Sequence, residues 1–215
     1  MKIFLSSILL FFLSCEANAQ LTIFPKGAYK SLAELKEKKP SLQGDFELIR
    51  RDDSKLKVNG YIDYKVKSEF IGRSVINKEI YAISTGDTLY LNCTLQRIRF
   101  DYARVLVEGR YFAFDGGEAL TDIDAASSYI TVAYFGGLVG ALLVYSLDGQ
   151  RSTATNKSYL YALDTFDGSL NVLNSNYLEK LLEPFADLQA QYSVLYLKYD
   201  REVLLRYLTL LNLEY

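Results

Sequence analysis

Short runs of β-branched and aromatic residues alternate with polar turn signals between Phe46 and Phe114. Runs of this kind, divided by Gly, Asn and Asp, predict strands joined largely by hairpins. Two hairpins can be assigned to particular residues. EIYAI is predicted to pair with TLYLN around STGD (84–87), and YARVLV with RYFAF around EG (108–109). A third, YLYALD with SLNVL around DG (167–168), follows later in the chain. The pattern therefore predicts an antiparallel sheet.

A short helix is predicted near the start of this region. Ser31 and Glu34 form a capping box, in which a serine hydroxyl and a glutamate carboxylate accept hydrogen bonds from the first N–H groups of a helix. The helix should run to about Lys38, because lysines follow it and Pro40 cannot continue it.

The tail of the chain has a helical pattern. Asn176 is predicted to cap a first short helix, which Pro184 separates from a longer one. The apolar stripe of the longer helix recurs at spacings of three and four: Leu188, Tyr192, Leu195, Tyr199, Val203, Tyr207 and Leu211. We expect this stripe to pack on the sheet, and a surface for a partner is the alternative.

The first residues resemble a secretory signal peptide. Lys2 precedes an apolar run to Leu13, and Ala17-Asn18-Ala19 is a small-x-small cleavage site. Cleavage after Ala19 is expected. The alternative is lipidation of Cys15, against which Leu13 argues, because lipoprotein signals prefer small residues before the cysteine. The predicted organisation is a signal peptide (1–19), a β-rich body (20–175) and a C-terminal helical region (176–215).

One stretch of the body, Tyr129 to Leu147, has no charged side chain in 19 residues. Its length approaches the roughly 20 residues of a spanning helix, and it contains a GxxxG spacing. Asp122 and Asp124 precede it and Arg151 follows, as an outside-to-inside span would prefer. However, it also holds three glycines and several Tyr, Ser and Thr residues, and another strand pair follows it. We expect burial within the fold; membrane association through 129–147 is the alternative.

Composition narrows the classes of partner. The chain has 24 basic and 26 acidic residues, mixed along its length, for a net charge of −2. No basic stripe could neutralise phosphates, so nucleic acid is not an expected partner. The aromatic residues are 18 Tyr and 12 Phe without Trp, which suits half-buried strands; stacking of tyrosines against sugars is the minor alternative.

The order of these segments along the chain resembles that of a known family. GAYKSLAELKEKKPS, KEIYAISTGDTLYLN, EGRYFAF, a glycine-rich apolar stretch, YLYALDTFDGSLNVL and a tail from LEKLLEP to LLN follow in that order. Together, from Gly27 to Asn212, they resemble a family of uncharacterised secreted proteins of Bacteroidota, a domain of unknown function. The resemblance implies an exported envelope protein and carries no catalytic residue over to this chain.

Candidate chemistry is sparse. The chain has no histidine, which excludes Ser-His-Asp and Cys-His catalysis and imidazole metal ligation. Cys93, the one cysteine left after cleavage, is expected to be a small buried side chain, with no intrachain disulfide. Four acids on a predicted loop offer oxygen ligands for calcium, although their spacing is not that of an EF-hand: Asp115, Glu118, Asp122 and Asp124. A solvated acidic loop is the favoured interpretation, and no metal or cofactor site is predicted.

The sequence thus favours an α+β fold, an antiparallel β-rich body (Phe46 to Leu173) with a short N-terminal helix and C-terminal helices packed on it. The favoured function is an exported cell-envelope protein, a non-enzymatic binding or accessory module, in the periplasm or envelope. A membrane-anchored component, held by 129–147 or a lipid on Cys15, is the alternative, and a carboxylate-based hydrolase is a weaker one. Whether the chain is an enzyme, its oligomeric state and its partner are left open by the sequence.

Overall fold

A computed structural model describes residues 24–52, 62–99, 101–119 and 158–215, which contain nine strands and five helices. In chain order these elements are β1 (Gly27–Tyr29), α1 (Leu32–Lys36), β2 (Glu47–Arg51), β3 (Asp63–Lys67), α2 (Arg73–Glu79), β4 (Ala82–Ser84), β5 (Leu89–Asn92), β6 (Tyr102–Val107), β7 (Tyr111–Gly116), β8 (Tyr159–Asp164), β9 (Leu170–Val172), α3 (Ser175–Leu182), α4 (Ala186–Ser193) and α5 (Arg201–Asn212).

All nine strands join one antiparallel sheet, which confirms the predicted α+β, β-rich fold. The main strand order is β1-β4-β5-β6-β7-β8-β9, and β3 pairs with both β2 and the start of β6. The three predicted hairpins are present as β4–β5, β6–β7 and β8–β9. Each is closed by a glycine with positive φ, as the tight reversal requires.

The side chains of the central strands alternate between separate cores, as strand geometry requires. On β7, Phe112 and Phe114 contribute to a core on one face of the sheet, whereas Tyr111 and Ala113 contribute to a core on the other face. The C-terminal helices cover this second core. A third core, around Ile76, lies between α2 and strands β1, β3, β4 and β6. The sheet is therefore covered on both faces over much of its width.

The predicted cap of α1 is present, with a shifted end. Ser31 Oγ accepts a hydrogen bond from the N–H of Glu34 at 3.2 Å, and Glu34 Oε2 accepts one from the N–H of Lys30 at 2.7 Å. The helix ends at Lys36, earlier than the predicted Lys38, because Lys38 adopts a left-handed conformation with φ 54°. The N–H of Lys39 then donates to the carbonyl of Glu34 at 3.0 Å, which closes the helix before Pro40 is reached.

Helix α2 lies where the sequence predicts only strands. Its last carbonyls are bound by side chains from the sheet: Asn92 Nδ2 donates to the carbonyl of Ile80 at 2.8 Å, and the Tyr102 hydroxyl donates to that of Ile76 at 2.7 Å. Ile76 and Ile80, four residues apart, are both buried in the third core. The helix is thus specified by partners 12 to 26 positions away in the chain.

The C-terminal region differs from the prediction in two respects. Asn174 and not Asn176 caps α3, since its side chain accepts a hydrogen bond from the N–H of Tyr177 at 2.9 Å. Pro184 does separate the first helix from the next. The prediction of one longer helix after it is wrong: α4 ends at Ser193, and α5 starts at Arg201.

The side chain of Asn212, at the end of α5, forms hydrogen bonds with the β6–β7 turn. Asn212 Oδ1 accepts from the N–H of Tyr111 at 2.8 Å, while Asn212 Nδ2 donates to the carbonyls of Glu108 and Tyr111 at 3.1 and 2.8 Å. Gly109 lies in this turn with φ 144°, and a Cβ there would lie 2.5 Å from Asn212 Cγ. Glycine therefore allows the close approach of the helix end to the sheet.

Among the helices in the described ranges, none has the length and apolarity that a bilayer crossing requires. The stretch from Tyr129 to Leu147, for which burial and membrane spanning are the competing predictions, lies outside the described residues, as do the signal peptide and Cys15.

Candidate functional site

The acids singled out in the sequence are only partly within the described residues. Asp115 Oδ2 pairs with Arg201 Nη2 at 2.6 Å, so this carboxylate joins β7 to the start of α5. Glu118 is exposed, and its backbone carbonyl accepts the N–H of Arg99. Asp122 and Asp124 lie outside the described residues. Within the described part of the chain, no group of three or more His, Cys, Asp or Glu residues is placed to hold a metal ion.

Cys93, singled out in the sequence, and Asp63, which was not, both lie in the interior. Cys93 is fully buried in the core that contains Phe112 and Phe114. Asp63 is also fully buried; it receives two hydrogen bonds from the Arg51 guanidinium and one from the backbone N–H of Asp101. Burial raises the pKa of the Asp63 carboxyl, and the contacts with Arg51 oppose this shift. These contacts join β2, β3 and the start of β6, which is a structural role.

A cationic side chain is enclosed by aromatic rings at the opposite end of the sheet. The Arg110 guanidinium carbon lies 4.4 Å from the ring centre of Tyr215 and 5.1 Å from that of Phe166. Arg110 Nη2 is 3.3 Å from Asp164 Oδ2, and its Nε is buried with no hydrogen-bond partner. The stacking orders Tyr215 against the sheet, and the enclosed Nε is out of reach of a ligand.

Among the described residues, the largest concentration of exposed apolar side chains lies between α4 and α5, in residues 194–199, which we name the 194–199 loop. Four of its six side chains face solvent, with exposed fractions of 81 % (Val194), 95 % (Tyr196), 61 % (Leu197) and 81 % (Tyr199). Single exposed apolar residues are ordinary on protein surfaces, but a contiguous group in one loop is typical of an interaction site.

The 194–199 loop is held in place by contacts with α3, α4 and the core under the C-terminal helices. Tyr192, fully buried, donates a hydrogen bond from its hydroxyl to the carbonyl of Lys198 at 2.8 Å, and its ring packs edge-on against Tyr207 with 4.9 Å between centroids. Lys198 Nζ bonds Glu179 Oε1 at 3.0 Å, and Leu195 packs on the core beneath the helices. Burial raises the pKa of the Tyr192 hydroxyl, so it remains a donor over the physiological pH range.

The 194–199 loop and the end of α4 border a groove. Ser193 and Lys198 line an open depression of about 690 Å³ between α3 and α4. Its other lining residues are Asn176, Glu179, Lys180, Glu183, Ala186, Gln189, Ala190 and Tyr192. The described structure therefore places an exposed apolar loop beside a groove with a largely polar lining.

Comparison with known proteins gives a family and nothing further. A family of unknown function, DUF6563, matches residues 27–215. The chain belongs to this family. No curated protein and no solved structure matches it.

In this DUF6563 chain, two of the polar groups at the loop and groove are engaged within the protein. The hydroxyl of Tyr192 is engaged with a backbone carbonyl, and the carboxylate of Glu179 is engaged with Lys198. The exposed tyrosine rings offer apolar faces with a polar tip, a combination that is frequent at binding surfaces. The arrangement supports recognition by contact.

Sequence reasoning missed most of this surface in the DUF6563 chain, since only Tyr199 of its exposed residues belongs to the stripe for which a partner surface is the alternative. Tyr199 fits the apolar stripe of a continuous helix and was therefore expected in the core, yet it is among the most exposed side chains described. The available signal was Asp200, whose carboxylate accepts hydrogen bonds from the N–H groups of Glu202 and Val203 and so begins a new helix. An N-cap residue within a predicted helix indicates a break there.

Proposed function

We propose that this DUF6563 protein is an exported cell-envelope protein that functions as a non-enzymatic binding module, with the 194–199 loop as its contact surface. Export is supported by the features of residues 1–19, and an envelope role by the resemblance to secreted proteins of Bacteroidota. The binding role rests on one observation: four solvent-facing apolar side chains lie in a loop whose backbone is fixed by Tyr192 and Lys198.

The exposed apolar side chains of the loop favour contact with another surface. Burying a Leu, Val or aromatic side chain lowers the free energy by about 1.5–3 kcal/mol. In this chain, four such side chains in one loop remain exposed to solvent. Because the Tyr192 hydroxyl and the Lys198 ammonium already hold the loop, a partner would pay little conformational entropy to order it. A loop with both properties is suited to contact another surface.

Binding to isolated envelopes of the source cells tests this proposal. The mature protein is expected to co-sediment with the envelopes, and the double variant Tyr196→Ala/Tyr199→Ala to bind about tenfold less, because exposed tyrosines at the centre of an interface each contribute strongly. Both side chains are exposed in the isolated protein, so the variant should unfold at the same urea concentration as the parent.

Phe70→Ala is the matched control, since Phe70 is 79 % exposed but lies between β3 and α2, away from the helical region. It should bind as the parent does. Equal binding by the double variant and the parent, or no binding by the parent, would contradict the proposal.

A further inference from the structure

The groove beside the 194–199 loop has a lining with balanced charge. Its ionisable groups are two carboxylates, Glu179 and Glu183, and two ammonium groups, Lys180 and Lys198. Their formal charges cancel. A groove selective for an anion or a cation would carry an excess of the opposite sign, so this lining favours a ligand without net charge.

The same lining is rich in hydrogen-bonding groups of both kinds. The amides of Asn176 and Gln189 each offer donors and an acceptor. The Ser193 hydroxyl donates to the carbonyl of Ala190 at 2.8 Å, so it and Glu183 contribute acceptors. A ligand that fills the groove must therefore both donate and accept at many points, or leave these groups unsatisfied. Hydroxyl groups, which do both, are the simplest match.

The 194–199 loop adjoins the groove through Lys198 and adds a surface of the opposite character. Tyr196 and Tyr199, three residues apart on the loop, expose almost whole rings. An aromatic face carries partial negative charge and attracts weakly positive C–H groups. A ring compound with hydroxyl groups at its edges and C–H groups on its faces would match both the groove and the loop.

We propose that the groove and the 194–199 loop together bind a neutral glycan of the cell envelope, one whose sugars carry neighbouring hydroxyl groups. The sugar hydroxyls lie against Asn176, Gln189 and Ser193, and the sugar faces lie against Tyr196 and Tyr199. This inference rests on the proposed binding function and adds the class of ligand to it. A protein segment or a lipid surface would also cover the apolar loop, and each of these is an alternative outcome of the experiment.

Envelopes with one component destroyed at a time distinguish these ligands. Periodate cleaves carbon–carbon bonds between neighbouring hydroxyls and so destroys sugars that carry such a pair; proteinase K removes exposed proteins; chloroform–methanol removes lipids. The purified mature protein is then sedimented with each washed preparation. Periodate treatment is expected to reduce the bound fraction at least about tenfold, and the other two treatments to leave it within about twofold.

A matched pair of variants on α4 places the ligand in the groove. Gln189 lines the groove, whereas Gln191, two positions further on, does not. Gln189→Ala should weaken binding about fivefold, as expected for one lost hydrogen bond, and Gln191→Ala should leave it unchanged. Binding that survives periodate, or equal binding by the two variants, overturns the glycan assignment while the proposed binding function stands. Failure to bind untreated envelopes overturns both.

Discussion

Replacing Asn92 with alanine is expected to lower the free energy of unfolding by about 3–4 kcal/mol. The side chain is buried, and its Nδ2 donates to the carbonyls of Ile80 and Asn77 at 2.8 and 3.1 Å, at the end of α2. Its Oδ1 accepts the N–H of Thr94 at 3.0 Å. Alanine would leave these backbone groups unsatisfied in the interior. Urea unfolding, followed by circular dichroism, measures the loss.

Tyr102→Phe provides a graded comparison for Asn92→Ala. It keeps the ring and removes the hydroxyl that donates to the carbonyl of Ile76 at 2.7 Å and to that of Ile80 at 3.3 Å, in the same helix turn. The expected loss is about 1 kcal/mol. A loss for Asn92→Ala no larger than that for Tyr102→Phe would show that the buried amide does not hold α2 against the sheet.

Replacing Arg51 with alanine is expected to cost about 3–5 kcal/mol at neutral pH. Arg51 is the cation paired with the fully buried Asp63, at two hydrogen bonds, and it also contacts Asp101 at 3.0 Å. Without the guanidinium, the Asp63 carboxylate stays in the interior without the cation that the described part of the chain places beside it. The free energy of unfolding, measured by urea titration at several pH values, tests this directly.

The pH dependence of the Arg51→Ala variant has a defined sign. Burial already raises the pKa of Asp63, and removal of Arg51 takes away the contacts that oppose this shift, so the pKa rises further. The folded state of the variant then favours the protonated carboxyl. Its deficit relative to the parent should be largest above the raised pKa and should shrink as the pH falls toward about 4, the ordinary value for an aspartate. The double variant Arg51→Ala/Asp63→Asn should lack this trend, and a deficit constant from pH 4 to 8 would contradict the account.

The hairpins and the first helix cap could be read from the sequence because their determinants are local. The β4–β5 and β6–β7 turns each need a glycine with positive φ between two alternating runs, and both lie within a few residues. Helix α2 could not be read in this way. Its termination depends on Asn92 and Tyr102, which reach it only once the sheet has formed.

The candidate surface could not be read from the sequence for a related reason. A spacing of three and four identifies apolar positions, but it does not say whether they are buried. Tyr192 and Tyr199 belong to the same predicted stripe; the first is fully buried, and the second is exposed because the chain leaves the helix after Ser193. The bond from the Tyr192 hydroxyl to the Lys198 carbonyl fixes that departure. Only Asp200 signals it locally.

Chemical protection of the tyrosines in the 194–199 loop tests the central claim most directly. Tetranitromethane nitrates exposed tyrosines, and mass spectrometry reports the extent at each position. Tyr196 and Tyr199 should be nitrated readily in solution and at least about fivefold less when the protein is bound to envelopes. Tyr215, 58 % exposed and outside the loop, should react equally in both states. Unchanged nitration of Tyr196 and Tyr199 in the bound protein would contradict the assignment of this loop as the contact surface.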